Sequence, residues 1–368
     1  MSDHTTHKEP LLRVSKRREL TKRQAFGVKM ISLLLALIAG GIFLAVLGFN
    51  PFVIYGTIVS GAFRSKLAVQ GTVKLMIPLL ISALGVTLAY KMQFWNIGAE
   101  GQIIMGAVFA SYFALFHSNW PRPILLIVML LAAMIGGGIW GLIPAFFKNK
   151  WNTNETLFTL MLNYIALHII SFLRDGPWRD PANPGFAKIA TFEENATLPK
   201  LFGVHIGWLI ALILFVLVYI YLKYTKQGYE ISVIGGSKAT ANYAGMHVKK
   251  IIIRTIFLSG AICGIAGFSN AAGSDLTLAT GVAGGVGFTA IIVAWLADLE
   301  PLGILVVSFL FAVLDKGSSV IQSAYGLSTD CSDVLEGIIL FFVIAGGFFV
   351  RYRFVPRKRK EEKGGENA

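Results

Sequence analysis

Residues 123–147 read PILLIVMLLAAMIGGGIWGLIPAFF, a run without a charged side chain between Arg122 and Lys148. A helix needs about 20 apolar residues to cross the hydrocarbon of a bilayer, and this run supplies them unaided. Within it Gly137 and Gly141 lie four apart, the spacing that lets two membrane helices come close. Gly260 and Gly264 repeat that spacing in a second apolar run. A membrane barrel would instead be written in short alternating segments, so the fold class is all-α.

Working outward, comparable runs predict about ten transmembrane helices. They fall near 27–49, 73–90, 97–116, 123–147, 154–172, 206–222, 251–271, 285–298, 302–315 and 334–350. The composition agrees: 55% of the 368 residues are hydrophobic and 14% charged, against roughly a quarter charged in a soluble domain. Charge collects at the ends, in a basic N-terminal tail (1–26) and a basic C-terminal tail (351–368) flanking a transmembrane domain (27–350). Basic residues mark the cytoplasmic side of a membrane protein, which places both termini inside a multi-pass bundle. The net charge of +13 then reflects anchoring beside membrane lipid rather than nucleic-acid binding. Two cysteines, Cys263 in an apolar run and Cys331 in a polar loop, make neither a disulfide framework nor a metal site.

Two polar segments interrupt the pattern. The external loop, 173–205, carries Pro177, Pro181, Pro184 and Pro199, which disfavour a regular helix and suit a lid or docking loop. The cytoplasmic loop, 223–250, is basic and contains a short helix from Ser237 to Ala244, with Ser237 as cap and Gly245 as stop. Its small residues Ala239, Ala241, Ala244 and Gly245 offer a flat surface to a protein groove, with Tyr243 as anchor.

Chemistry-bearing residues cluster in two further places. Phe94-Trp95-Asn96-Ile97-Gly98-Ala99-Glu100-Gly101-Gln102 sets a carboxylate and two amides among glycines at the edge of an apolar run, which predicts a broken or re-entrant segment. Glu100 either caps the helix starting there or belongs to a solute path. Asn152 or Asn154 caps the next helix but one, which carries Asn163, Tyr164 and His168. Tyr164 and His168 share a face with Asn163 beside it, suited either to interhelical hydrogen bonds or to a polar, neutral, ring-bearing solute. Acidic residues at span ends, among them Asp275, Asp298, Glu300 and Asp315, keep an ion-coupled secondary carrier as an alternative. A phosphate-binding Gly-x4-Gly-Lys-Ser/Thr loop does not occur, and no catalytic motif does, so the chain reads as no enzyme and needs no cofactor of its own.

Taken in order, 94–102, Asn154-Glu155-Thr156, Met161 to Ala166, Gly228 to Gly245 and Ser259 to Gly267 resemble the permease subunit of bacterial ABC importers. The family is that of simple-sugar, nucleoside and branched-chain amino-acid permeases, and the resemblance is nearest to the nucleoside branch. It implies import of a nucleoside, or of a simple sugar, across the bacterial plasma membrane. It also implies a separate ABC ATPase subunit holding ATP and Mg, a second permease chain and an extracytoplasmic solute-binding protein. The substrate path would then involve Asn96, Glu100, Gln102, Asn163, Tyr164 and His168. The ATPase would engage Gly228, Tyr229, Glu230, Gly235, Ala241, Tyr243, Ala244 and Gly245. One departure is that Gly287-Phe288-Thr289-Ala290 stands where the family often has Gly-Phe-Asp-Gly.

Overall fold

A computed structural model describes residues 12–16, 21–183 and 185–356, and nearly every apolar run in it folds as helix. The chain opens with β1 (Leu12–Lys16), α1 (Lys22–Val46), α2 (Pro51–Phe63), α3 (Lys66–Lys91), α4 (Ala99–Phe116), α5 (Arg122–Trp151) and α6 (Glu155–Asp175). A hairpin of β2 (Lys200–Leu201) and β3 (Val204–His205) follows, then α7 (Gly207–Tyr224), α8 (Lys226–Gly236) and α9 (Lys238–Tyr243). The remainder is α10 (Val248–Ser269), a π-helical turn (Asn270–Asp275), α11 (Val286–Leu296), α12 (Pro301–Tyr325), α13 (Thr329–Arg351) and β4 (Tyr352–Pro356).

Local chemistry sets most boundaries. Asn50 Oδ1 accepts from Phe52 N–H at 3.0 Å and Pro51 opens α2, so the run expected as 27–49 ends at Gly48 (φ +86°) and a second helix follows it. Ser65 caps α3 through Ala68 N–H, and Asn154 caps α6 through the N–H groups of Thr156 and Leu157. Asn152, the other candidate cap, instead closes α5 in a left-handed conformation.

Among the described residues seven helices are long and apolar enough to cross a membrane: α3, α4, α5, α6, α7, α10 with its π turn, and α12. The bent pair α1 and α2 makes an eighth. The run expected at 285–298 yields only the 11 residues of α11, about 16 Å of helix, too short for the roughly 30 Å core. Gly284 and Gly285, both at positive φ, delay its start, and Asp298 and Leu299, also at positive φ, end it. Leu278, Val282 and Ala283 are buried in the irregular stretch that leads to it.

The chain divides into two compact units, Met1–Tyr55 with Ser328–Ala368, and Gly56–Leu327. In the first, α1 packs on α13, where Gly346 leaves room for the Ser32 hydroxyl, and the Tyr55 hydroxyl donates to Leu37 O at 2.8 Å. β1 pairs antiparallel with β4, Leu12 opposite Pro356 and Lys16 opposite Tyr352, which joins parts of the two basic tails. The rest of those tails, 1–11, 17–20 and 357–368, lies outside the described residues.

In the second unit α10 is the central element, contacting α3, α4 and α5. A Cβ at Gly260 would meet Gly137 O, one at Gly264 would meet Ala133 O, and one at Gly267 would meet Ile103 O. Two neighbouring helices thus lie directly on the α10 backbone. α3 arrives on a third side, where Gly85 faces Cys263 Sγ and Ser259 O. Among the described residues from Gly176 to Ile206 there is no regular helix longer than a 3-10 turn at Glu194–Ala196. The stretch is nonetheless fixed: Phe192 N–H donates to Leu276 O and Leu198 N–H to Ala272 O, each at 2.8 Å, with Ile189, Phe192 and Leu198 buried.

Replacing Gly264 by valine forces α10 from α5 and is expected to cost at least 1–3 kcal/mol. Gly56→Ala, with open space around it in the middle of α2, should cost nothing and can gain up to about 1 kcal/mol. Thermal unfolding of the purified protein in detergent separates the two, and a Gly264→Val chain as stable as the parent would refute the close approach.

Candidate functional site

The segment between α3 and α4 is an irregular linker held by amides. Gln93, at φ +55°, turns the chain out of α3, and the Tyr90 hydroxyl donates to Asn96 O at 3.3 Å. Asn96 is fully buried: its Oδ1 accepts from Gly98 N–H at 3.0 Å, and its side-chain amide pairs reciprocally with that of Gln102 at 3.3 Å. From α6, Asn163 donates to Ile97 O at 3.0 Å and accepts from Gly101 N–H at 2.9 Å, while Thr159 Oγ1 accepts from Ile97 N–H. Asn96, Gln102 and Asn163 therefore satisfy the linker's own polar groups, as buried amides must.

Glu100 does more than the sequence suggests. Its two carboxylate oxygens accept from Gly285 N–H and Gly287 N–H, each at 2.8 Å, so it caps α11, an element 185 residues away, rather than its own helix. The carboxylate is 5% exposed and sits against the positive end of a helix that starts inside the bundle. A Cβ at Gly287 would collide with the Glu100 backbone, so the pair fit only in this combination. Next to this node, Trp95 stacks on Trp295 of α11 at 5.6 Å with planes 15° apart, and Tyr90 meets both rings edge-on or tilted. Trp95 remains half-exposed, and Lys91 pairs with Glu300 at 2.9 Å.

Tyr164 and His168 do not join this node. Asn163 points into the bundle, whereas Tyr164 (55% exposed) and His168 lie on the outward face of α6. They occupy the middle of a 21-residue span, with Met161, Ile165 and Phe172 around them. The expected polar group therefore separates into an internal bracket and an external stripe.

In the segment between α7 and α10, Ser237 Oγ accepts from Thr240 N–H at 3.2 Å and Gly245 adopts φ +74°, the expected cap and stop. Tyr243 is 93% exposed, with Ala244 and Gly245 exposed beside it. Ala241 departs from the expected flat surface. It is fully buried with Ile231, Ile234 and Ile252, because i and i+2 on a helix face different ways. Gly228 is likewise buried, and Gly235 abuts Lys91 O, so both serve packing of α8 against its neighbours. Glu230 pairs with Arg254 of α10 at 3.0 Å, and Tyr229 is exposed.

Sequence reasoning passed over His205. It is buried, with Nε2 3.4 Å from Ser274 Oγ and Nδ1 without a partner beside Gly207 and Gly273. Burial, and then the positive charge of Lys74 and Lys200, push the imidazole down to about 4. A lone histidine in a loop gives no signal of such a setting.

The chain thus combines helices of membrane-crossing length, an interrupted segment whose carboxylate caps α11, and a short exposed helix between α8 and α10. The chain belongs to the family described as the branched-chain amino acid transport system, permease component, which it matches over residues 68–344. It is 31% identical to the glucose ABC transporter permease protein TsgB13 of Haloferax volcanii, over 93% of each chain. It is 29% identical to the guanosine ABC transporter permease protein NupP of Bacillus subtilis, over 90% of this chain and 97% of that one. The nucleoside ABC transporter permease protein NupB of Lactococcus lactis subsp. cremoris is 28% identical over 86% and 90%. These relatives are transport components, and membership in their family favours an ABC permease over the ion-coupled carrier.

Glu100→Ala leaves the buried N–H of Gly287 unpaired, at about 1–3 kcal/mol, and the half-buried N–H of Gly285 at less, while Glu100→Gln keeps one acceptor and should lose less. Thermal midpoints ordered parent, Gln, Ala are expected, and equal midpoints would remove the cap. For His205 the unfolded imidazole titrates near 6.5 and the folded one near 4, so the folded state binds fewer protons between these values. Stability is therefore expected to fall as pH drops through 6.5 to 4, by about 3 kcal/mol in all, and to level off below. The chain with His205→Asn should lack that part of the pH dependence in a melting series.

Proposed function

We propose that the chain is the membrane half of an ABC importer that carries a nucleoside inward, with ATP and Mg held by a separate ATPase subunit. The observation that carries the reading is the exposed tip of α9. A six-residue helix capped by Ser237, stopped by Gly245 and seated through buried Ala241 holds Tyr243 and Ala244 out toward a partner. Closure of an ATPase pair would push on this tip, and α8, joined to α10 through Glu230 and Arg254, would pass the motion to the bundle centre. Gly228, Gly235 and Ala241 contribute by making the segment rigid, and Tyr229 by extending its outer surface.

On this reading the segment 223–250 and both tails (1–26 and 351–368) face the cytoplasm of a bacterium, 173–205 lies outside, and the domain 27–350 makes ten passes. The passes are α1, α3 to α7, α10, α11 with the irregular stretch before it, α12 and α13. The pairing of β1 with β4 supports an even number, since it holds residues near the two ends on one side. A solute-binding protein delivers substrate to the 173–205 face. A second permease chain covers Tyr164 and His168, because hydroxyl and imidazole groups in the middle of a span belong against protein or water. Asn96, Glu100, Gln102 and Asn163 shape the path by fixing the α3–α4 linker and the start of α11.

Nucleoside is favoured over sugar by the names of two relatives, for guanosine and for nucleosides, and the half-exposed Trp95 offers a face on which a ring stacks. The glucose permease supports the sugar alternative.

The test is ATPase turnover of the complex purified from its native membrane, with binding protein and a panel of nucleosides and sugars. Stimulation by nucleosides is expected, and stimulation by sugars alone would replace the substrate. Tyr243→Asp with Ala244→Asp should abolish stimulation and release the ATPase subunit. Unchanged assembly and transport would overturn the coupling role.

A further inference from the structure

The last turns of α5 and the first turn of α10 border a shallow, open cleft of about 420 Å³ that the transport reading leaves unused. It is lined by Phe146, Asn149, Lys150, Lys249, Lys250 and Ile253. We propose that this cleft binds the phosphate head group of an anionic phospholipid.

Three observations support it. The first is charge without a counter-charge. Lys148 is neutralised by Glu155 at 2.8 Å, but Lys150, Lys249 and Lys250 have no carboxylate within 4.0 Å among the described residues. The second is the placement of that charge. Lys249 and Lys250 sit in the first turn of α10, which has no acidic residue, and His247 makes no side-chain cap there. A helix start carries a partial positive charge from its unpaired N–H groups, so two ammonium groups on it are unfavourable until an anion joins them.

The third is the shape of the chemistry. Both helices end here as membrane spans, so the cleft lies where head groups lie. Phe146 and Ile253, one turn further into the spans, give an apolar wall for an acyl chain below the lysines. Lys150 lies over the Trp151 ring at 4.5 Å, and that ring is exposed at the same level, as interfacial tryptophans are. A soluble anion would use the lysines and ignore the wall, whereas a phospholipid would use both. Basic pockets between the ends of membrane helices recognise lipid head groups by this combination.

The position gives the lipid a consequence. Asn149 Nδ2 donates to Lys249 O at 3.2 Å across the cleft, and Lys249 follows the α9 tip by six residues. A head group bridging Lys150 to Lys249 and Lys250 would tie α5 to the start of α10 where the coupling segment enters the bundle. The proposal rests on the chain spanning a membrane and is independent of what it carries.

The test is reconstitution of the chain, with the subunits that co-purify, in nanodiscs of phosphatidylcholine containing a fifth phosphatidylglycerol, with retained lipid read by native mass spectrometry after extraction. Preferential retention of phosphatidylglycerol is expected. It should fall roughly fivefold for each lysine removed in Lys150→Gln, Lys249→Gln and Lys250→Gln, and persist in the three Lys→Arg variants. Single variants keep the test open if the triple one does not fold. Equal retention in the Gln variants overturns the proposal, as does displacement of the lipid by millimolar inorganic phosphate, which would assign the cleft to a free anion. Loss of a bound subunit with lipid retention unchanged would assign it to a protein partner and overturn it equally.

Discussion

Gly260, Gly264 and Gly267 leave a stripe of α10 without side chains, and the second unit is arranged around that fact. In lipid no hydrophobic effect drives helices together, so close approach of backbones has to supply much of the attraction. At Gly260 and Gly264 the α10 backbone meets that of α5, and at Gly267 that of α4. Once these axes are fixed, the start of α4 has a defined place relative to the stretch that follows α10. Only then do Glu100 and Gly287 come within reach of each other.

The contact between them settles a problem that a half-length helix creates. The first N–H groups of α11 emerge in a low-dielectric interior where water is scarce and every polar group needs a partner. Two glycines at positive φ start the helix, and Glu100 meets two of its N–H groups with one carboxylate. A buried carboxylate is itself costly, so each group answers the need of the other. Thr289, where the family often carries an aspartate, leaves the first turn of α11 without a second negative charge.

Much of this was legible in the sequence, for identifiable reasons. Apolar runs, glycine spacing, the Asn154 and Ser237 caps and the Gly245 stop are local signals, written within one turn of the element they control. The partner of Glu100 was not legible, because it stands 185 residues away and its donors are backbone groups that carry no residue code. The division of Asn163 from Tyr164 and His168 follows from about 100° of rotation between neighbours, which periodicity gives, but which side is the core depends on neighbours in space. Hydropathy over 285–298 came close to the extent of α11, but that two glycines at positive φ start it inside the bundle is a matter of backbone conformation that no apolar run encodes. Ala241 misled for the opposite reason, since alanine suits a flat exterior and a tight interior equally.

The contact of α3 with α10 carries a last consequence, in the chemistry of thiols. Cys263 is fully buried against Gly85, its Sγ 3.8 Å from Ser82 O, whereas Cys331 is partly open. A maleimide dye therefore meets one sulfur in the intact fold and reaches the other only after α3 and α10 have parted. The protein carries its own two-stage reporter, one thiol reading accessibility in the first unit and one marking the moment the glycine-lined centre of the second comes apart.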